Sequence, residues 1–415
     1  MYLCIDLKSF YASVECTERG LDPYTTNLVV ADPARGNGSV CLAITPKMKM
    51  LGVKNRCRVF EIPKSIKYIT AKPRMSKYIE YSANIYETYL EFFSKDDIYV
   101  YSIDEVFIDI SNYFKMYKVD EKELAKMVIK RIYDKFKITA TAGIGTNMYL
   151  AKIAMDIIAK HTPSNIGYLD ESLFKEKLWN HTPLTDFWGI GKGIEKRLNK
   201  MCIFTMEHIA KTDEEKLYKE FGVNAKTLID HAWGKELCTL KDIKSYIPES
   251  KSISNSQILF EDYNYEDAML VLKEMVCLMS ERLVKERLIA NTVHLYIGYS
   301  KDKIKSTGGS MKLSTPTSVY TKLVENILII YERTTDKNTK IRKIGISFSD
   351  LEYKGNVQLN FFDDYTKLEK EKKVESVIGS IKEYFGKNSI IKGMDLEEKA
   401  TTVIRNTLIG GHNGN

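Results

Sequence analysis

Tyr2-Leu3-Cys4-Ile5-Asp6-Leu7-Lys8-Ser9-Phe10-Tyr11-Ala12-Ser13-Val14 stands near the start of the chain, and its reading decides the fold. A short apolar run of β character meets a carboxylate at Asp6. Ser9 is then placed to cap a helix carrying Phe10, Tyr11 and Val14. Outward from there, Leu28–Ala31 and Val40–Ile44 read as buried strands around the loop Asp32–Gly38. Ile98 to Ile110 reads as a strand hairpin with acids at its bend. Lys122–Phe136 is an amphipathic helix, Ile138–Ala142 a strand, and Met148–Lys160 a helix with Leu150, Ile153, Ala154, Ile157 and Ile158 on one face. Strands and helices alternating in this way predict an α/β or α+β sheet domain.

From about 166 to 236 the strand signal vanishes, and short helical patterns broken by Gly189, Gly191, Gly193, Gly222 and Gly234 predict a small helical domain. Lys241–Ser250, with Pro248, reads as a linker. A second mixed domain follows: strand Ile253–Phe260, helix Tyr265–Arg287, strands Thr292–Tyr299 and Lys303–Leu313, helix Ser318–Arg333 and strand Ile341–Phe348. That β-α-β-β-α-β order is the split ferredoxin-like arrangement.

The 415 residues are too many for one core and predict two to four domains. With 44% hydrophobic and 28% charged residues, collagen, disordered and membrane classes are excluded. Seven scattered cysteines without a C-x-x-C pair argue against zinc and disulfides and for a reduced, cytoplasmic setting. The formal charge is +7, but ten Lys/Arg against four Asp/Glu between Lys301 and Lys343 place +6 in one segment. A concentrated excess of that kind is the footprint of a nucleic-acid contact.

Asp104 and Glu105 sit among apolar strand residues in Tyr101-Ser102-Ile103-Asp104-Glu105-Val106-Phe107. Adjacent acids there are costly unless a cation neutralises them. With Asp6 they would hold two divalent ions roughly 3.5–4 Å apart, the geometry of nucleotidyl transfer, and oxygen ligands alone favour Mg²⁺. Taken alone, the acid pair is as well read as an exposed turn. Lys152, Asp156 and Lys160 form one polar helix stripe, on which Lys152 is expected to face solvent.

Cys4 to Glu15 resembles the opening motif of the Y-family (UmuC/DinB-type) translesion DNA polymerases. Ser102-Ile103-Asp104-Glu105-Val106-Phe107 is similar to that family's S-I-D-E motif, and Gly143-Ile144-Gly145-Thr146-Asn147 with Leu150–Ala154 to its third block. The blocks stand at family spacing, and the resemblance runs from residue 1 to about 362. It implies an α+β multidomain, right-hand polymerase. A ferredoxin-like palm would span 1–165 with fingers inserted at about 18–75, and a helix-hairpin-helix thumb would span 166–240. A linker (241–250), a β-α-β-β-α-β little finger (251–357), a clamp-binding peptide (358–362) and a tail (363–415) would follow.

The resemblance also implies roles. Asp6, Asp104 and Glu105, with the Leu7 carbonyl, would bind two Mg²⁺ ions, Mn²⁺ being able to substitute. Phe10, Tyr11, Lys49 and Lys160 would meet the dNTP, Tyr11 as the gate that excludes a ribose 2′-OH. Lys160 comes one residue later than usual after Asp156. Pro46 and Lys49 stand where many relatives have Tyr and Arg, which leaves a point charge in place of a bidentate clamp. Gly189, Gly191 and Lys192 would hold DNA phosphate at a helix N-terminus, and Arg342 and Lys343 would hold the duplex. Gln358, Leu359, Phe361 and Phe362 resemble a sliding-clamp peptide. Arg405–His412 resembles the ending of UmuC-like polymerases of Gram-positive bacteria and their phages. The expected function is lesion bypass on primer–template DNA with low fidelity and no proofreading. It would take place in the cytoplasm at the nucleoid, with the clamp and other replication or SOS proteins as partners and no membrane. The rivals are a metal-dependent nuclease or cyclase with the same acids, and a weakly catalytic DNA-binding accessory protein.

Overall fold

Leu3, Cys4 and Ile5 have no exposed surface, as an apolar run requires when it becomes the middle strand of a sheet covered on both faces. The computed structural model describes residues 1–248, 251–300, 304–353 and 365–414. They divide into two compact units, Met1–Tyr246 with His412–Asn415, and Ile247–Gly411.

The first unit begins with β1 (Tyr2–Leu7), α1 (Phe10–Thr17), β2 (Leu28–Val30), β3 (Ala43–Ile44), α2 (Pro46–Met50), β4 (Ile69–Ala71) and α3 (Met75–Leu90). It continues with β5 (Ile98–Val100), β6 (Glu105–Asp109), α4 (Tyr113–Tyr117), α5 (Glu121–Phe136), β7 (Ala140–Gly145), α6 (Met148–Ile153) and β8 (Ile166–Leu169). The main sheet has the order β5-β6-β1-β7-β8, antiparallel except for β7 and β8. The small sheet β3-β2-β4 lies within the stretch expected as fingers and has its own core around Val29, Ile44, Met48 and Val53.

Several expectations are corrected. β8 extends the palm sheet to Leu169, inside the region read as free of strands; four residues at a sheet edge are too few to show a period. The strand expected at Val40–Ile44 shortens to Ala43–Ile44, with Val40 bridging only to Arg58. Ser9 does not cap α1: the turn out of β1 is so tight that Ser9 is left-handed (φ 49°), and its hydroxyl makes no cap bond.

The helical domain is α7 (Glu171–Leu178), α8 (Lys192–Lys200), α9 (Met206–Lys211), α10 (Glu214–Phe221) and α11 (Asn224–Ala232), around Phe174, Phe187, Leu198 and Leu217. The expected linker is in good part a docked helix, α12 (Leu240–Ser245). Leu240 and Ile243 pack with Tyr2 and Tyr99, and Lys244 Nζ donates to the carbonyls of Lys95 (2.8 Å) and Asp96 (2.7 Å).

The second unit follows the expected order: β9 (Ile253–Tyr263), α13 (Tyr265–Lys285), β10 (Leu288–Tyr299), β11 (Thr307–Thr317), α14 (Tyr320–Thr334), β12 (Ile341–Ser349) and β13 (Glu352–Tyr353). Its sheet runs β11-β10-β12-β9 and is antiparallel throughout. α13 and α14 close one face of it over Val271, Met275, Ile327 and Tyr331. α15 (Tyr365–Phe385), α16 (Thr402–Arg405) and the hairpin strands β14 (Leu408–Ile409) and β15 (His412–Asn413) complete the chain.

Candidate active site

Asp6, the penultimate residue of β1, pairs in register with Glu105, the first residue of β6. Asp104 occupies the turn before β6, where its carbonyl accepts from Leu7 N (3.0 Å) and its Oδ1 accepts from Ser102 Oγ (2.7 Å). Two neighbouring strands and one turn thus bring the three predicted acids to one end of the sheet. Burial is the main force lifting the Asp6 carboxyl from 3.8 to about 6; Lys160 opposes it, and Asp104 and Glu105 add to it. Glu105 is buried, and its Oε1 accepts from Lys152 Nζ (2.7 Å) and Cys4 Sγ (3.3 Å).

That lysine corrects the expectation of a solvated face. Lys152 is 7% exposed, held between Glu105 and Asp156 Oδ2 (2.9 Å). Burial works against its charge, but Cys4, Asp156 and Glu105 outweigh it and hold it above the usual lysine range. The cause lies in β7. A Cβ on Gly143 would stand 2.1 Å from the Ala151 carbonyl oxygen, and one on Gly145 2.2 Å from the Ala151 nitrogen. Only glycine lets α6 lie so close to the strand, and that approach presses Lys152 onto Glu105. Asn147 starts the helix by accepting from Leu150 N (2.8 Å).

The helix expected over Met148–Lys160 is regular only to Ile153; residues Ala154–Ile158 form a π-turn. Lys160 still reaches Asp156 Oδ1 at 2.7 Å, so both lysines share one carboxylate. Lys8, Lys49 and Lys160 lie within electrostatic reach of Asp6 and of one another. Lys8 was not singled out in the sequence, although it follows the acid by two residues.

Tyr11 is half-buried, its ring stacked on Tyr78 (centroids 4.4 Å apart, 14° between planes) and tilted against Phe10 at 5.8 Å. Phe10 itself is 3% exposed, so Tyr11 carries the accessible ring and Phe10 supports it from the core. Burial raises the Tyr11 hydroxyl pKa and Asp104 adds to it, which places the ring near the acids; Arg56, another residue missed in the sequence, opposes the shift. Behind Tyr78 lies Glu15, whose carboxylate has no exposed surface. It accepts from Tyr78 Oη (2.8 Å), from both arms of Arg74 (2.9 and 3.0 Å) and from Arg19. Burial would raise the Glu15 pKa, but the Arg74 fork, Arg19 and Tyr78 hold it below the usual carboxylate range.

Among the described residues, no three His, Cys, Asp or Glu side chains converge closely enough to form a finished cage. The donor set nevertheless fits a hard divalent cation. It offers carboxylate oxygens, and burial, with Asp104 and Glu105 adding to it, makes the Asp6 anion costly, a cost that such an ion relieves.

Residues 5–156 match the impB/mucB/samB family, and residues 250–361 match that family's C-terminal domain. The sequence is 33% identical to UvrX of Bacillus subtilis (strain 168), over 99% of this chain and 97% of that protein. It is 31% identical to DNA polymerase IV 2 of the same organism, over 98% and 97%. The chain belongs to the impB/mucB/samB family. It is a Y-family DNA polymerase of the translesion class, and membership implies divalent-metal dependence and binding of primer–template DNA and dNTPs. A solved Y-family DNA polymerase chimera, Dbh-Dpo4(243-245)-Dbh, shares the fold with a TM-score of 0.65 at 21% identity, over 85% of this chain and 99% of that one.

Two further parts of the polymerase carry predicted DNA-contact residues. In the thumb, Gly189 takes φ +92° and Gly191 caps α8 ahead of Lys192; a Cβ at Gly189, Gly191 or Gly193 would meet open space. The adjoining Trp188 donates from Nε1 to Tyr101 Oη (3.2 Å), tying this turn to the hairpin that carries the acids. In the little finger, the pairing of β12 with β10 slips by one residue: Gly298 faces Lys343 and Tyr299 faces Ile341, which leaves Arg342 as a β-bulge. Ile341 and Ile344 both point into the core, so the bulge turns Arg342 and Lys343 to the open side together. Arg342 meets Asp262 at 3.5 Å, and Lys343 Nζ lies 5.3 Å from the centre of the exposed Tyr296 ring. Gln358, Leu359, Phe361 and Phe362 lie outside the described residues. No helix among the described residues is long and apolar enough to cross a membrane.

Proposed function

We propose that the polymerase incorporates dNTPs at the end of β1, where Asp6, Asp104, Glu105 and the Leu7 carbonyl hold two Mg²⁺ ions, with Mn²⁺ able to substitute. The observation that carries this reading is the register pairing of Asp6 with Glu105 beside Asp104. Such ions, when bound, would supply charge stabilisation for the transferring phosphate and activation of the attacking hydroxyl. Lys152, paired with Glu105 Oε1, fixes the position of that carboxylate. Lys8, Lys49 and Lys160 neutralise the triphosphate as point charges, and Tyr11 excludes a 2′-OH by bulk. The amides around Gly189 and Gly191, with Lys192, hold phosphate, and Arg342 and Lys343 hold the duplex.

The open loop at Gly36 and Gly38, where a Cβ would meet nothing, supports a roomy site, low fidelity and tolerance of damaged templates. Leu359, Phe361 and Phe362, with the Gln358 amide, supply the chemistry for docking on a sliding clamp. The test is primer extension with single dNTPs over intact and damaged templates. Asp104→Ala should abolish incorporation while primer–template binding persists; normal extension by that variant would remove the assignment.

A further inference from the structure

Helix α3 starts without a side-chain cap. Its Ncap residue is Arg74, and that guanidinium is committed to Glu15, with Glu18 at 3.6 Å. The first-turn N–H groups of a helix have no partner within the helix, so a 16-residue element at the back of the active site needs its cap from elsewhere. It comes from a segment more than three hundred residues away. Ser76, the second residue of α3, donates its N–H to the Gly414 carbonyl at 2.8 Å. One step earlier, Asn413 Nδ2 donates to the Pro73 carbonyl at 3.1 Å. His412 lies within electrostatic reach of Asp32 and Arg35 in the fingers. Residues His412–Asn415 therefore belong to the first compact unit, although the chain before them, back to Ile247, belongs to the second.

The capped turn is the one that backs the gate. Arg74 holds Glu15, Glu15 holds Tyr78 Oη, and the Tyr78 ring carries Tyr11. Farther along α3, Ser82 Oγ donates to the Ile103 carbonyl at 2.6 Å, next to the catalytic acids. We propose that Asn413 and Gly414 act as positioning residues for sugar selection: they cap α3 and, through Arg74, Glu15 and Tyr78, hold the Tyr11 ring in place. The proposal rests on the reading of Tyr11 as the gate.

The experiment compares the full chain, a chain ending at Gly411, Asn413→Ala and Tyr11→Ala. Two quantities are read: the ratio of ribonucleotide to deoxynucleotide incorporation, and amide hydrogen exchange in the first turns of α3. Loss of a helix cap costs about a factor of five in local stability. The chain ending at Gly411 should therefore raise the ratio by about fivefold and speed exchange at Ser76–Tyr78, while exchange in β12 stays as it was. Asn413→Ala should move both in the same direction by less, and it keeps the test open should the shortened chain fold poorly. Unchanged exchange at Ser76–Tyr78 overturns the cap. Faster exchange with an unchanged ratio, while Tyr11→Ala shifts the ratio, overturns the positioning role and leaves the gate standing. An unmoved ratio in Tyr11→Ala sinks the gate itself, and the positioning role with it.

Discussion

The sheet built around β1 and the sheet built around β10 use a similar plan, strands backed by helices, and place their polar groups differently. The first places its functional groups at strand ends. There Asp6 and Glu105 sit side by side, Asp104 sits in the adjoining turn, and close packing of α6 supplies a buried counter-charge. The second places its functional groups across an open face, where Ser254, Ser256, Ser310, Lys312 and Lys343 are exposed around a 44% exposed Tyr296. Strand ends let several carboxylates converge on one point, which suits metal chemistry. A sheet face spaces side chains about 4.8 Å apart from strand to strand, which suits a long, repetitive polyanion. On the function proposed above, one architecture would serve as reactor or as grip according to where its polar residues fall.

That contrast can be broken most severely at the first sheet. Asp6→Ala should lower single-nucleotide incorporation by about 1,000-fold or more, while primer–template affinity measured by fluorescence anisotropy changes by less than about twofold. A comparable loss of affinity would mean that the two sheets do not divide the labour.

Lys152→Met should come next. Removing one partner of a buried ion pair costs about 3–5 kcal/mol, and here Glu105 would lose its counter-charge while Asp156 keeps Lys160. Thermal unfolding should show that loss, and incorporation should fall by about tenfold or more. A variant as stable as the parent would show that Glu105 does not depend on this lysine.

At the second sheet the effect should be smaller and of another kind. Arg342→Gln with Lys343→Gln should weaken DNA binding equally for all sequences and reduce the salt slope by up to about 0.9 per lost phosphate contact. Incorporation at saturating DNA should hold. An unchanged slope would place the duplex away from the bulge.

The smallest effect is a pH signature confined to the first sheet. The folded-state pKa of Asp6 is raised, so its contribution to metal-free stability is present below about pH 4 and is lost as pH rises through about 6. Mg²⁺ relieves the ionised acids, so the gain in Tm on adding Mg²⁺ should be larger at about pH 7.5 than at about pH 5. Equal gains at both values would detach Asp6 from the metal.

Much of this was legible in the sequence. The apolar run ending at Asp6, the acids among strand residues at 104 and 105, and the β-α-β-β-α-β order after residue 251 are local patterns. Period and composition report such patterns directly. The little-finger elements came out with boundaries a few residues off, most at β11, which spans Thr307–Thr317 where Lys303–Leu313 was expected. Ends are where propensity is weakest and pairing partners decide.

What the tertiary structure decided is of another order. Lys152 lies on a helix face that alone reads as solvated; it is buried because Gly143 and Gly145 admit α6 against β7. Arg342 and Lys343 would alternate in a regular strand, and a one-residue bulge against β10 turns both away from the core. Gly414 caps a helix that begins at Met75, a contact no window of sequence contains. The amino-acid sequence determined which groups this polymerase owns and which short elements carry them, because those depend on neighbours along the chain. Their protonation, burial and partners depend on neighbours in space, because desolvation and Coulomb energy act through distance and not through order along the chain.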